Sequence, residues 1–223
     1  MEYIIFFAAE LLLFYFLSRR LMALLHSHIR KGIRSKMLAI YFVSILFFPG
    51  TLFHELAHYI SAILLRVPTG AVRLFPEISG NTAILGSVEI AKTDPIRRFL
   101  VGVAPLFTGI TAITLLIHFG KDSQFASPPL REVILGFFIF EIANSMFASD
   151  KDMEGSLALL LTVGVLLLTF FIIVIRYSIS ITLPTQVIAF FQTIVFYLLF
   201  PVAMNAFFVV MFSLFSKKRF ISL

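Results

Sequence analysis

Residues 155–175 pass through Gly, Leu, Val, Phe and Ile without one charged side chain. A run of about 20 apolar residues is what a helix needs to cross a hydrocarbon core roughly 30 Å thick. Comparable runs lie near 3–17, 37–65, 99–117, 130–147 and 186–215, and together they name the solvent. Sixty per cent of the 223 residues are hydrophobic and 13% are charged, too little charge to coat a water-soluble globule of this size. Backbone polar groups in lipid must be satisfied within the chain, and no series of alternating segments suggests a barrel. The sequence therefore predicts an all-α polytopic membrane protein, integral and multi-pass, with about six transmembrane helices. With no internal repeat or low-complexity linker, it reads as one domain over 1–223, with a core near 45–165 and accessory helices at 1–36 and 177–223.

The formal net charge of +6 raises the question of a nucleic-acid partner. The basic residues, however, cluster between or after apolar runs, which is the pattern of membrane topology, and no nucleic acid is expected. Arg19, Arg20, Arg30, Lys31, Arg34 and Lys36 read as one short cytoplasmic link, with Leu21, Leu24, Leu25 and Ile29 at helical spacing along the membrane surface. Lys217, Lys218 and Arg219 place the C-terminus on the same side. Six simple crossings do not. The last run, interrupted by Pro201, is either one long kinked helix or a helical hairpin, and the hairpin would reconcile the two. The N-terminus lacks the basic region of a secretory signal, so the first run is expected to be a retained helix.

Two interruptions carry more information than the runs. Pro49-Gly50 should break the second run, because Pro removes a backbone donor and Gly loosens the helix. From 67 to 98 the composition changes to Pro, Gly and β-branched residues. Residues 72–75 and 82–90 are expected to pair as a small β-hairpin through Ser79-Gly80-Asn81, directly after the helix that follows the break.

That helix contains His54-Glu55-Leu56-Ala57-His58. Residues four apart lie one above the other on a helix face, so two imidazoles can reach one ion while the Glu between them stands ready as a base. His and Glu are costly in an apolar segment, and three within five positions require an interior partner or a function. His26, His28 and His118 fall in the basic link or at a span end and read as interfacial. The chain has no cysteine, so a metal must be held by His and carboxylate. A catalytic zinc site usually has three protein ligands and one open position. The third can come from the acidic cluster Asp150, Asp152 and Glu154, or from Glu141 within the preceding span. The cluster also suits a solvated loop capping the next helix.

Three elements in order resemble the site-2 protease family of intramembrane zinc metalloproteases. They are the H-E-x-x-H helix, Gly102-Val103-Ala104-Pro105 in the following span, and Asn144 followed by Asp152 and Gly155. A strand-like insert separates the first two, as in the family. The last element is similar to the family's Asn-x-x-Pro segment leading to Leu-Asp-Gly, though the prolines are missing and Lys151 and Met153 flank the Asp. The resemblance implies Zn2+ on His54, His58 and Asp152, with Asp150 the alternative. It implies Glu55 as the general base acting on water, and Asn144 as a substrate-binding amide. The substrate would be another transmembrane protein, cut in or near its membrane segment within the lipid bilayer. The same intramembrane charges would also suit a metal-ion or small-solute transporter, or a catalytically inactive relative that binds membrane proteins.

Overall fold

The computed structural model describes residues 2–33, 35–73, 77–79, 82–84, 87–120, 123, 125–149, 151–153, 157–178 and 182–218. Its elements run in the order α1 (Glu2–Gly32), α2 (Lys36–Leu46), α3 (Phe48–Leu64), β1 (Thr69–Arg73), β2 (Glu77–Ser79), β3 (Thr82–Ile84), β4 (Ser87–Ile90), α4 (Pro95–Gly120), α5 (Pro128–Ser145), α6 (Leu157–Arg176) and α7 (Thr185–Lys218).

The expected first span and the basic link as far as Gly32 are one helix, while Lys36 opens α2 and Arg34 lies outside the described residues. No Gly or Pro interrupts α1 before Gly32, and Leu, Met, Arg and Lys are all good helix formers. Its buried residues Glu10, Phe14, Ser18, Leu21 and Leu24 recur every three or four positions, a stripe that packs mainly along α7. Of the two forms open to the last apolar run, the single helix is the one found. Pro201 lies buried inside the single helix α7.

The break in the second run is present, two residues ahead of Pro49. Helices α2 and α3 meet at Phe47 with a 74° bend. Pro49 then falls in the first turn of α3, where its missing N–H would have had no helical partner anyway. At the other end, Arg66 takes a left-handed conformation with φ 56°. Its N–H bonds the Ile63 carbonyl at 3.0 Å, and Val67 N–H bonds the Ala62 carbonyl at 2.8 Å. This pair of bonds closes the helix in a Schellman turn and swings the chain into β1.

The β insert follows the H-E-x-x-H helix as expected, and its pairing extends beyond the expected segments. The first strand starts at Thr69, ahead of residue 72, and pairs antiparallel with β4, setting Val72 opposite Val88. Inside this pair, β2 and β3 form a second antiparallel ladder from Glu77 opposite Ile84 to Ser79 opposite Thr82. Gly80 and Asn81 of the expected turn, and Phe75, lie outside the described residues.

Three helices among the described residues are long and apolar enough to cross a membrane, within α4, α6 and α7, and the bent pair α2–α3 makes a fourth if counted as one span. Helices α1 and α5 have the length. Each also carries acidic and basic side chains along it, Glu10, Arg19 and Arg20 in α1 and Arg131, Glu132 and Glu141 in α5. The core lies where α1, α4, α5 and α7 meet, around Phe14, Ile113, Ile142, Met146, Ile194 and Leu198. No part of the apolar window of α6 is buried. For a surface that faces lipid this is no anomaly, because packing between such helices rests on van der Waals contact rather than on escape from water.

Candidate metal centre

His54 and His58 sit one turn apart on α3, and each ring is fixed from behind. His58 donates from Nδ1 to the carbonyl of Val101 in α4 at 2.8 Å. His54 likewise turns its Nδ1 to the carbonyl of Ser145, the last residue of α5. Helix C-terminal carbonyls lack an intrahelical donor, so the Ser145 oxygen is available. With both Nδ1 atoms donating, each neutral imidazole carries its lone pair on Nε2.

Those two Nε2 atoms face each other at 3.0 Å. Asp152 closes the group. Its Oδ2 lies 3.4 Å from His54 Nε2 and its Oδ1 lies 3.3 Å from His58 Nε2. Each residue offers a donor atom within 4.8 Å of the other two. Two imidazole lone pairs and a carboxylate converging on one point repel one another unless a cation stands between them. The donor set fits a divalent metal ion of the kind bound by nitrogen and oxygen.

The loop after α5 holds Asp152 by local bonds. Ser149 N–H donates to Asp152 Oδ2 at 2.7 Å, and Asp152 N–H donates to Ser149 Oγ at 3.3 Å. Arg98 Nη2 adds a tie from the start of α4 to the carbonyl of Lys151 at 3.4 Å. Gly102 lets this loop sit against α4: a Cβ there would stand 2.5 Å from the Asp152 carbonyl oxygen.

Glu55 is buried beside the two histidines and lines the same cavity, which encloses about 880 Å³. Asn144 also lines it. Its carboxamide is engaged with α7 in a reciprocal pair, Asn205 Nδ2 to Asn144 Oδ1 at 2.8 Å and Asn144 Nδ2 to Asn205 Oδ1 at 3.2 Å. A further Nδ2 bond to the Phe140 carbonyl at 2.9 Å satisfies the local role open to a helix-end amide. One acceptor position on Oδ1 is left. Asp150 and Glu154 lie outside the described residues. Glu141 does not join the group: its carboxyl is buried against the start of α3 and accepts the Gly50 N–H at 3.3 Å.

Sequence reasoning left out one wall of the cavity. It is built by Tyr15, Ser18, Arg19 and Met22 of α1, a helix that the sequence places among the accessory ones. Strand β4 forms a further wall, with all four of its residues lining the cavity. Because β4 pairs only with β1 among the described strands, one of its edges has no strand partner there. No family model matches the chain, and neither a curated protein nor a solved structure matches it.

Proposed function

We propose that this chain is an intramembrane zinc metalloprotease of the site-2 protease kind, with the described helices embedded in the bilayer as about six spans. The observation that carries the reading is the convergence of His54 Nε2, His58 Nε2 and the Asp152 carboxylate beside buried Glu55. Three protein donors of nitrogen and oxygen leave a tetrahedral ion one open position, the signature of a catalytic rather than a structural zinc site. Zinc bound there supplies Lewis acidity, which acidifies water and polarises a carbonyl.

The chain's own residues do the rest. Glu55, next to His54 on α3 and buried in the lining of the same cavity, takes the proton from the attacking water and returns it to the leaving amine, so that a peptide bond is exchanged for a carboxylate and an amine. A transmembrane helix hides its backbone in its own hydrogen bonds and must unwind to be cut. The unpaired edge of β4 along the cavity offers an unwound segment a strand to pair with. Asn144 has an acceptor left for one substrate N–H.

The test is a pair of measurements on the purified protein. Glu55→Gln should keep bound zinc and lose cleavage of a transmembrane substrate altogether. Ion flux through native protein in proteoliposomes, with no cleavage, would instead identify a carrier.

A further inference from the structure

In an α-helix each carbonyl accepts the N–H four residues on. For Val101 that residue is Pro105, which has no N–H to give. The Val101 oxygen is therefore left without its helical donor, and it is this oxygen that receives the Nδ1–H of His58 at 2.8 Å. We propose that Pro105 is a positioning residue for the metal centre: by withholding a backbone donor it reserves the Val101 carbonyl for His58. The inference rests on the reading of His54, His58 and Asp152 as metal ligands.

The surroundings leave the Val101 carbonyl no ready substitute. Val101 is fully buried, so bulk water does not reach it, and a buried carbonyl without a donor is costly. The nearby hydroxyl of Thr108 donates to the carbonyls of Ala104 at 2.9 Å and Pro105 at 3.3 Å. His58 satisfies the orphaned oxygen, and in return its ring is held with the proton on Nδ1 and the lone pair on Nε2. Such outer contacts fix the tautomer and the aim of a metal-bound histidine. Pro105 lies buried one turn along α4, at the far end of the segment whose Gly102 admits the Asp152 loop. One turn of helix thus orients one ligand through a carbonyl and seats another through a missing side chain.

The experiment measures the zinc dissociation constant of the full chain in detergent micelles, by competition with a chelating dye. Pro105→Ala restores the N–H and should weaken zinc binding about tenfold. L-lactic acid at position 105, introduced as an α-hydroxy acid, again removes the N–H without the proline ring and should return affinity to within about twofold of native. Glycolic acid at position 102 turns the Val101 carbonyl into an ester, a poorer acceptor, and should weaken zinc in a helix that still contains Pro105. Native affinity in Pro105→Ala overturns the proposal, as does a lactic-acid variant as weak as the alanine one. If Pro105→Ala does not fold, the glycolic-acid variant decides alone, with unchanged affinity the overturning result. Zinc bound as described without proteolysis removes only the protease reading, whereas a native chain that binds no zinc removes both.

Discussion

The Nε2 atoms of His54 and His58 stand 3.0 Å apart while the opposite nitrogen of each ring is held by a backbone carbonyl. In that tautomer neither Nε2 carries a proton, and the contact is a facing of two lone pairs closed by the oxygens of Asp152. A shared cation would turn this repulsion into three coordinate bonds. The native chain should therefore hold one equivalent of zinc, and alanine at His54, His58 or Asp152 should remove it, read by metal analysis after dialysis. Asp150→Ala should keep the metal. Loss of zinc from Asp150→Ala with retention in Asp152→Ala would reassign the third ligand.

Much of this centre was legible before any coordinates because its signal is local. An i, i+4 spacing fixes two imidazoles on one helix face whatever surrounds them, and Pro49-Gly50 announces the 74° break that starts that helix. The place of Asp152 beside the two histidines was legible only through the resemblance, since nothing in the residues around 150–154 distinguishes a ligand from a helix cap. What escaped was everything that depends on distant segments. The charge of Arg19 and Arg20 suggested a surface link, yet Ser18, Leu21 and Leu24 continue the buried stripe of α1 past them. Asn205 is unremarkable in an apolar run, and only the packing of α7 on α5 brings it to Asn144. Pro201 left the last run open between a kinked helix and a hairpin, because a proline is tolerated within a helix only when its neighbours satisfy the freed carbonyl.

Glu141 and Gly50 illustrate how a buried acid can serve architecture. Phe47, the N-cap of α3, makes no side-chain cap bond, so the amide of Gly50 in the first turn depends on the Glu141 carboxyl from α5. The backbones nearly touch there, since a Cβ on Gly50 would come within 2.6 Å of the Glu141 carbonyl oxygen. Glu141→Leu orphans that amide and should cost about 1–3 kcal/mol of stability. Glu141→Gln retains an acceptor and should keep most of it. Thermal unfolding in micelles compares the two, and equal losses would show that the cap contributes nothing.

Gly102 makes the most local prediction about the metal. Its missing side chain leaves room for the backbone of the ligand loop: a Cβ there would meet the Asp152 carbonyl oxygen at 2.5 Å and its carbonyl carbon at 3.3 Å. Backbone cannot swing aside as a flexible side chain does, so Gly102→Ala must move the loop or α4. Overpacking of this kind costs typically about 1–3 kcal/mol. Here the movement falls on Asp152, whose two oxygens sit at matched distances of 3.4 and 3.3 Å from the two imidazoles. If that cost is taken entirely from metal binding, zinc affinity drops by about ten- to a hundredfold. Gly164→Ala supplies the control, because nothing lies within 4 Å of a Cβ placed on that glycine of α6. It should leave affinity unchanged. Equal zinc affinity in Gly102→Ala and Gly164→Ala would mean that Asp152 is not held against α4 in the way its ligand role requires.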